Sequence, residues 1–331
     1  MKEDEIRKRE IFNEYLRLSS EDAKIFFKDT NQFVKLNSCI ACNSQNLSHA
    51  LVKNNFNYVE CGDCDTFFVN PRPTIDMLSK YYSSSPSTTF WVEKFFKPVA
   101  EKRREKIFRP RAEYISKFLK RKNGITIGDI GAGFGIFLEE LKNKIPENKF
   151  IAIEPSKDMA DICRNKGLIV IEDILENLSF AEHKFDVLLS FELFEHLQDP
   201  KSFLTKVKDL LNNEGIFIFT TLNGLGFDIQ NLWNESKSIS PPHHLNFFNP
   251  WSIKKISEIV GFEVIECSTP GKLDWDIIEG GIKNSEIQPG RFWTKFSKYA
   301  DEDSKESLQG WISKSNFSSH MRVILRKKQN G

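Results

Sequence analysis

No run in this 331-residue chain approaches the roughly 18 consecutive apolar residues that a membrane-spanning helix needs. Charge of one sign is not in excess either. The 47 basic residues stand against 46 acidic ones, which argues against a nucleic-acid binder working through a broad positive surface. The opening MKEDEIRKRE is charged and lacks the apolar core of a secretory leader, so a cytoplasmic protein is expected. Internal repeats and low-complexity segments are missing as well. Cysteine is scarce at six residues, four of which fall in two C-x-x-C pairs. In a reducing compartment that pattern points to metal before disulfides. Length then becomes informative, because 331 residues exceed what one hydrophobic core usually supports.

The texture changes along the chain. Residues 1–34 read as a polar helical extension, with Ile6, Ile11, Phe12, Tyr15 and Leu16 on one face and Ser19 to Asp22 capping a second short helix. Residues 35–72 carry short β-type runs, NYVEC and TFFVN, between turn residues. Residues 73–122 turn helical and aromatic (Tyr81, Tyr82, Phe90, Trp91, Phe95, Phe96), as a linker or lid would. From 123 to 270 the apolar runs ITIGDI, KFIAIE, LIVIED, FDVLLSF and GIFIFTTL alternate with amphipathic helices. That alternation indicates an α/β fold, a doubly wound and mostly parallel sheet covered on both faces. FEVIECS and HMRVILRK are expected to add strands at an edge, and residues 271–331 to complete the sheet.

The first strand-to-helix turn reads Asp129-Ile130-Gly131-Ala132-Gly133-Phe134-Gly135. A phosphate loop would need Gly-Lys-Ser/Thr after its glycines, and a dinucleotide turn would read G-x-G-x-x-G. Neither is present, and Asp129 suits a cationic or hydroxyl-rich ligand better than a pyrophosphate. The next strand ends in Glu154, a carboxylate able to grip ribose hydroxyls. Acids close two further strands, Asp173 in IEDILENL and Glu192 with Glu195 in FELFEHLQDP.

In that order, DIGAGFG, IEPS, IEDILENL and FDVLLSFELFEHLQDP resemble the motifs of class I S-adenosylmethionine-dependent methyltransferases. The resemblance implies a Rossmann-like fold in which Asp129, Gly131 and Gly133 line the methionine end and ribose of the cofactor. Glu154 would take the ribose hydroxyls, and Asp173 with Ile174 the adenine.

Cys39-x2-Cys42 and Cys61-x2-Cys64 have the spacing of a four-thiolate zinc site. The residues after each pair, Asn43 and Asp65, tolerate the left-handed backbone that such turns need. A unit of about forty residues has too little core to fold unaided, and four thiolates leave no open position, so Zn2+ here would be structural. With this zinc ribbon, the chain is similar to bacterial methyltransferases of surface-polysaccharide and deoxysugar biosynthesis. That likeness implies a small, sugar-derived acceptor, with no nucleic acid and no membrane span, and leaves oligomeric state open.

Methyl transfer from a sulfonium mainly requires alignment, with a base if the nucleophile is a neutral hydroxyl. His244 is the expected base, on the resemblance of its HL context to sugar methyltransferases. His243, His196 and Glu195 are the other candidates. An unperturbed imidazole would place the pH-rate limb near 6.5. The basic segment 102–122 offers Arg103, Arg104, Arg109 and Arg111 as clamps for a phosphate or carboxylate, or simply as a solvated face. The rival readings are a quinone or other small-molecule O-methyltransferase, and a non-catalytic zinc-ribbon adaptor with a vestigial core.

Overall fold

A computed structural model describes residues 2–120, 123–179 and 181–329. Near the N-terminus, β1 (Leu47–Lys53), β2 (Phe56–Cys61) and β3 (Phe67–Val69) form an antiparallel meander. The main sheet is built on β4 (Thr126–Ile130), β5 (Lys149–Ile153), β6 (Ile169–Ile171), β7 (Phe185–Phe191) and β8 (Leu211–Leu222), whose pairings are all parallel. A two-residue strand, β9 (Asn246–Phe247), then pairs with β3, so the small sheet runs β1-β2-β3-β9. Finally β10 (Phe262–Ser268) and β11 (His320–Lys327) join the main sheet antiparallel, in the order β10-β11-β8-β7-β4-β5-β6. Of the two late strands only β10 lies at the edge. β11 is inserted beside β8, which buries its Val323, Ile324 and Leu325.

The parallel strands are apolar throughout because both faces are covered. On β7, Leu188 enters one core with Phe217 and Phe219, while Val187 and Leu189 enter the other with Ile127 and Ile218. This is the two-residue period of a strand acting on a sheet with helices on each side. Strand order reverses between β4 and β7, from which the chain winds outward in opposite directions. In open α/β sheets the crevice beyond the carboxyl ends at such a reversal is where ligands bind.

The N-terminal extension is not the expected pair of helices broken at Ser19–Asp22. After a short turn of helix at Glu3–Ile6, one helix runs unbroken from Arg9 to Phe26. Phe12, Tyr15, Ser19 and Asp22 form its buried stripe, three or four residues apart, with Ala23 beside Asp22. Ser19 and Asp22, which resemble a cap, are packed instead, and the Asp22 carboxylate accepts the Ser87 N–H at 2.8 Å.

Segment 73–120 packs against the glycine turn and the helix that follows it. Helices Ile75–Ser84 and Pro86–Phe90 lead into a long winding run that ends in helix Arg109–Leu119. The run opens into π-type turns at Trp91–Phe96 and Arg104–Phe108. Phe96 stacks on Phe134 of the glycine turn with ring centres 5.1 Å apart. Arg121 and Lys122, at the end of the basic segment, lie outside the described residues.

Candidate active site

The wall on the β4 side is built by the glycine turn. Gly131, Gly133 and Gly135 have φ of 71°, 55° and 65°, the left-handed region that favours glycine. At Gly135 space forbids a side chain as well, since a Cβ would come within 2.8 Å of Leu168 and 2.9 Å of Cys163. Gly133 faces open space. Asp129, at the end of β4, is 3% exposed, and its Oδ1 has no hydrogen-bond partner. Burial pushes its carboxyl up to about 8, against the opposing pull of Arg111.

Glu154 braces this turn. Its Oε2 accepts the Gly133 N–H at 2.8 Å and its Oε1 the Ser156 N–H at 2.9 Å. Each carboxylate oxygen keeps a further lone pair for a ligand hydroxyl. Asp173 lies beyond β6 and holds its own loop, accepting from Ile174 N–H at 2.8 Å and Asn177 Nδ2 at 2.7 Å. Ile174 beside it is 41% exposed, an apolar face able to meet a flat ring.

The opposite wall grows from the end of β7. Glu192 has φ of 54°, an uncommon setting for a non-glycine residue. Its carboxylate accepts from Thr220 Oγ1 at 2.6 Å and pairs with Arg111 at 3.4 Å and His320 Nδ1 at 3.1 Å. One turn on, Glu195 is buried, accepts the Thr221 hydroxyl at 2.9 Å and lies 4.0 Å from His196 Nε2. Burial, reinforced by the Glu192 charge, pushes Glu195 up to about 8.

The three histidines named from the sequence come together here, in different roles. His244 Nδ1 lies 2.5 Å from the Ser238 carbonyl, and His196 Nδ1 lies 2.8 Å from the His243 carbonyl. A carbonyl can only accept, so each proton sits on Nδ1 and each Nε2 keeps a free lone pair. The two rings are 5.1 Å apart. Burial holds His196 below the ordinary imidazole value and takes His244 down to about 3, so both are neutral at pH 7. His243 is different. It is buried, its Nε2 lies 2.6 Å from the Tyr81 hydroxyl, and the rings of Tyr15 and Tyr82 pack around it. It supports the loop, with its Nε2 engaged by Tyr81. Donor atoms of Glu195, His196 and His244 all lie within 4.8 Å of one another, close enough to pass a proton or to hold a cation.

Sequence reasoning overlooked His320 and the part played by Tyr82. Glu192, His320 and Tyr82 are enclosed by protein on most sides, yet Glu192 and His320 keep 32% and 52% of their side-chain surface accessible. That combination marks residues lining a cleft. Burial opposes the charge on His320, but the Glu192 carboxylate outweighs it and raises the imidazole to about 9. His320 reaches the cleft only because β11 runs antiparallel to β8, with His320 opposite Leu222. No local pattern in the sequence announces that pairing.

The four paired cysteines converge in the small sheet. Cys39 and Cys64 sulfurs are 3.5 Å apart, those of Cys42 and Cys61 3.6 Å, and all four lie within 4.8 Å of one another. A tetrahedron of about 2.3 Å metal–sulfur bonds has edges of about 3.8 Å, so the spacing suits a four-thiolate metal site. Asn43 and Asp65 adopt the expected left-handed backbone, with φ of 61° and 52°. The cluster is tied to the histidine loop. Asn249 Nδ2 donates to the Cys64 carbonyl at 2.7 Å, Tyr58 hydroxyl to the His244 carbonyl at 2.6 Å, and Phe67 stacks on Phe247 of β9 at 4.3 Å.

Known proteins are similar to parts of this chain. Ubiquinone biosynthesis O-methyltransferase of Actinobacillus pleuropneumoniae serotype 7 is 32% identical over 124 residues, which are 34% of this chain and 52% of that protein. The enzyme of the same name from Pasteurella multocida is 30% identical over 129 residues, with the same shares. The chain thus spans about half the length of these curated relatives. An uncharacterised protein of Methanocaldococcus jannaschii is 26% identical over 165 residues, 50% of this chain and 76% of that one. Among solved structures, the plantazolicin methyltransferase BpumL in complex with SAH superposes with a TM-score of 0.49 at 17% identity, covering 76% of this chain and 94% of that one. The family model described as a methyltransferase domain matches residues 99–267, which run from the helical cover through β10 and include both walls of the cleft. The chain belongs to the methyltransferase-domain family.

Proposed function

We propose that the protein transfers a methyl group from S-adenosylmethionine to a hydroxyl of a small, sugar-type acceptor. The observation that carries this reading is Asp129, a buried carboxylate with an unpartnered oxygen beside a glycine turn that leaves open space at Gly133. A buried carboxylate without a partner is costly, and a cationic ligand group relieves it. The residues therefore fit the cofactor: Asp129 and the turn at its methionine end, Glu154 at the ribose, Ile174 at the adenine. Bound there, it would supply a methyl already activated by its sulfonium.

The rest is the work of this chain's own side chains. The helical segment packs over the glycine turn, and Glu192, Thr220 and Tyr82 present polar groups to orient an acceptor. His196 and His244 each offer an imidazole Nε2 to take the hydroxyl proton. The polar lining and the resemblance described above support a sugar, in bacterial surface-polysaccharide biosynthesis. The names of the curated relatives favour the second reading, a quinone-type O-methyltransferase, over a third of the chain. No observation favours an adaptor with a vestigial core.

The four-cysteine cluster is proposed to hold structural Zn2+, and the protein to work in the cytoplasm. Calorimetry with SAH tests the cofactor site. Screening nucleotide-linked sugars and quinols for mass gain of one methyl then decides the acceptor. Absence of SAH binding would sink the proposal, and methylation of quinols alone would replace the sugar with the second reading.

A further inference from the structure

Four arginines lie at the start of the basic segment, and three are held by carboxylates. Arg104 bonds Glu139 and Glu140 at 2.7 and 2.9 Å, Arg109 bonds Glu140 at 3.1 Å, and Arg111 pairs with Glu192 while its guanidinium covers Phe191. Arg103 has no such partner. Its guanidinium carbon lies 5.0 Å from the centre of the Phe96 ring, and its Nε is sealed from solvent without an acceptor. A sealed guanidinium N–H with no acceptor is unfavourable, and the side chain as a whole is only half-buried, which leaves its fork within reach of an anion. The charges that act on Arg103 do not supply one. Glu192 is already engaged by Arg111 and His320, and the other neighbours, Arg111 and Arg7, are cations.

We propose that Arg103 is the receptor for an anionic group on the methyl acceptor, a carboxylate or phosphate gripped by its planar fork against the face of Phe96. The inference rests on the methyltransferase reading and adds to it the class of acceptor. A guanidinium matches both anions bidentately, and an aromatic face beneath it fixes its plane. The acceptor is the source, rather than the carboxylate of the cofactor, because of position. The guanidinium that acts on Asp129 is that of Arg111. Arg103 is within charge range of Glu192 on the β7 wall and of Arg7 from the N-terminal extension, while its Phe96 platform stacks on Phe134. His320 adds a further positive charge to the same cleft.

The test is calorimetry on the full chain saturated with SAH, using UDP, sodium glucuronate and neutral glucose as probes. UDP or glucuronate should bind, glucose more weakly, and Arg103→Gln should weaken the anion about 10- to 100-fold, the range of a charged hydrogen bond. Arg103→Lys, which keeps the charge but loses the fork, should fall between. Arg104→Gln should leave anion affinity unchanged, and SAH affinity should hold in every variant. A readout independent of ligand comes from thermal unfolding of the ligand-free protein. Arg103→Met removes a half-buried charge whose sealed Nε lacks an acceptor and should raise the melting temperature, whereas an arginine kept for structure would lower it. The proposal is overturned if no anion binds the SAH-loaded protein, if anion affinity survives Arg103→Gln, if SAH affinity falls in parallel, or if Arg103→Met melts lower. Failure of SAH to bind the unaltered protein would instead strike the methyltransferase reading itself.

Discussion

At the scale of single residues the cleft is governed by desolvation. Asp129 is held up to about 8 by burial and has an unpartnered oxygen, so in the empty protein it is largely protonated at pH 7. A cationic cofactor group bound at Asp129 would favour the ionised form and have to displace that proton. Cofactor affinity should therefore be full above pH 8 and weaken as pH falls below it, approaching tenfold per unit until the carboxyl of the complex titrates. Calorimetry across pH 6–9 would show this, and Asp129→Asn should flatten the slope while weakening binding. Sequence reasoning placed the rate limb near 6.5, but His244 lies at about 3 and is neutral across the working range. The group positioned to titrate is Glu195, at about 8, with Glu192, His196 and His320 around it and Thr221 bonded to it. Once ionised, 4.0 Å from His196 Nε2, it favours the imidazolium form and strengthens that base. Turnover should rise with pH through about 8, and Glu195→Gln should remove that limb. His244→Ala should lower turnover by roughly 10²–10⁴ with SAH affinity nearly intact if this ring takes the proton. A loss below about tenfold would assign the proton to His196.

At the scale of elements, the small sheet and the histidine loop are one object. β3 pairs with β9, which begins two residues after His244, and Asn249 reaches back to the Cys64 carbonyl. Arg72, buried with no carboxylate bonded to it, donates to the Gln198 carbonyl at 2.5 Å and to Asn246 Oδ1 at 2.9 Å, holding the His196 loop against β9. Metal bound by the four thiolates would thus hold the histidines as well as the ribbon. Purified protein should carry one zinc, and its removal should destabilise the small sheet, since structural zinc contributes on the order of 10 kcal/mol to such folds. Hydrogen exchange should show β1–β3 and the 238–249 loop opening together after chelation. A loop that stays protected while the ribbon opens would separate the two. Phe67→Ala, at the stacked contact with Phe247, should cost about 3–5 kcal/mol in chemical denaturation.

Across the whole molecule, the same buried carboxyls set the pH dependence of stability. The folded-state value of Glu195, about 8, exceeds the roughly 4.3 of an unfolded chain, so the folded state holds its proton longer. Stability from this group is intact below about pH 4 and is lost as pH rises to about 8. Glu195→Gln should therefore melt close to the unaltered protein at pH 4–5 and progressively higher towards pH 8. Equal melting temperatures throughout would mean that Glu195 is solvated.

Sequence alone determined the elements whose cause is local. The strands β4–β8 were legible because apolar runs between turn residues leave a parallel sheet little choice. The glycine turn was legible because left-handed backbone selects glycine, and the cysteine pairs because two C-x-x-C turns at that interval bring four sulfurs together. The break at Ser19–Asp22 failed because tertiary packing against Ser87 overrode a local capping pattern. Only the tertiary structure decided what depends on contacts distant along the chain. It brought His320 to Glu192 from 128 residues away, set β11 inside the sheet rather than at its edge, and separated His243 from His244, neighbours in sequence, into a packed support and an open imidazole. It also left Arg103 alone among four similar arginines without a carboxylate. A charge pattern records which residues are present; which of them meet depends on how the helical cover winds over the sheet.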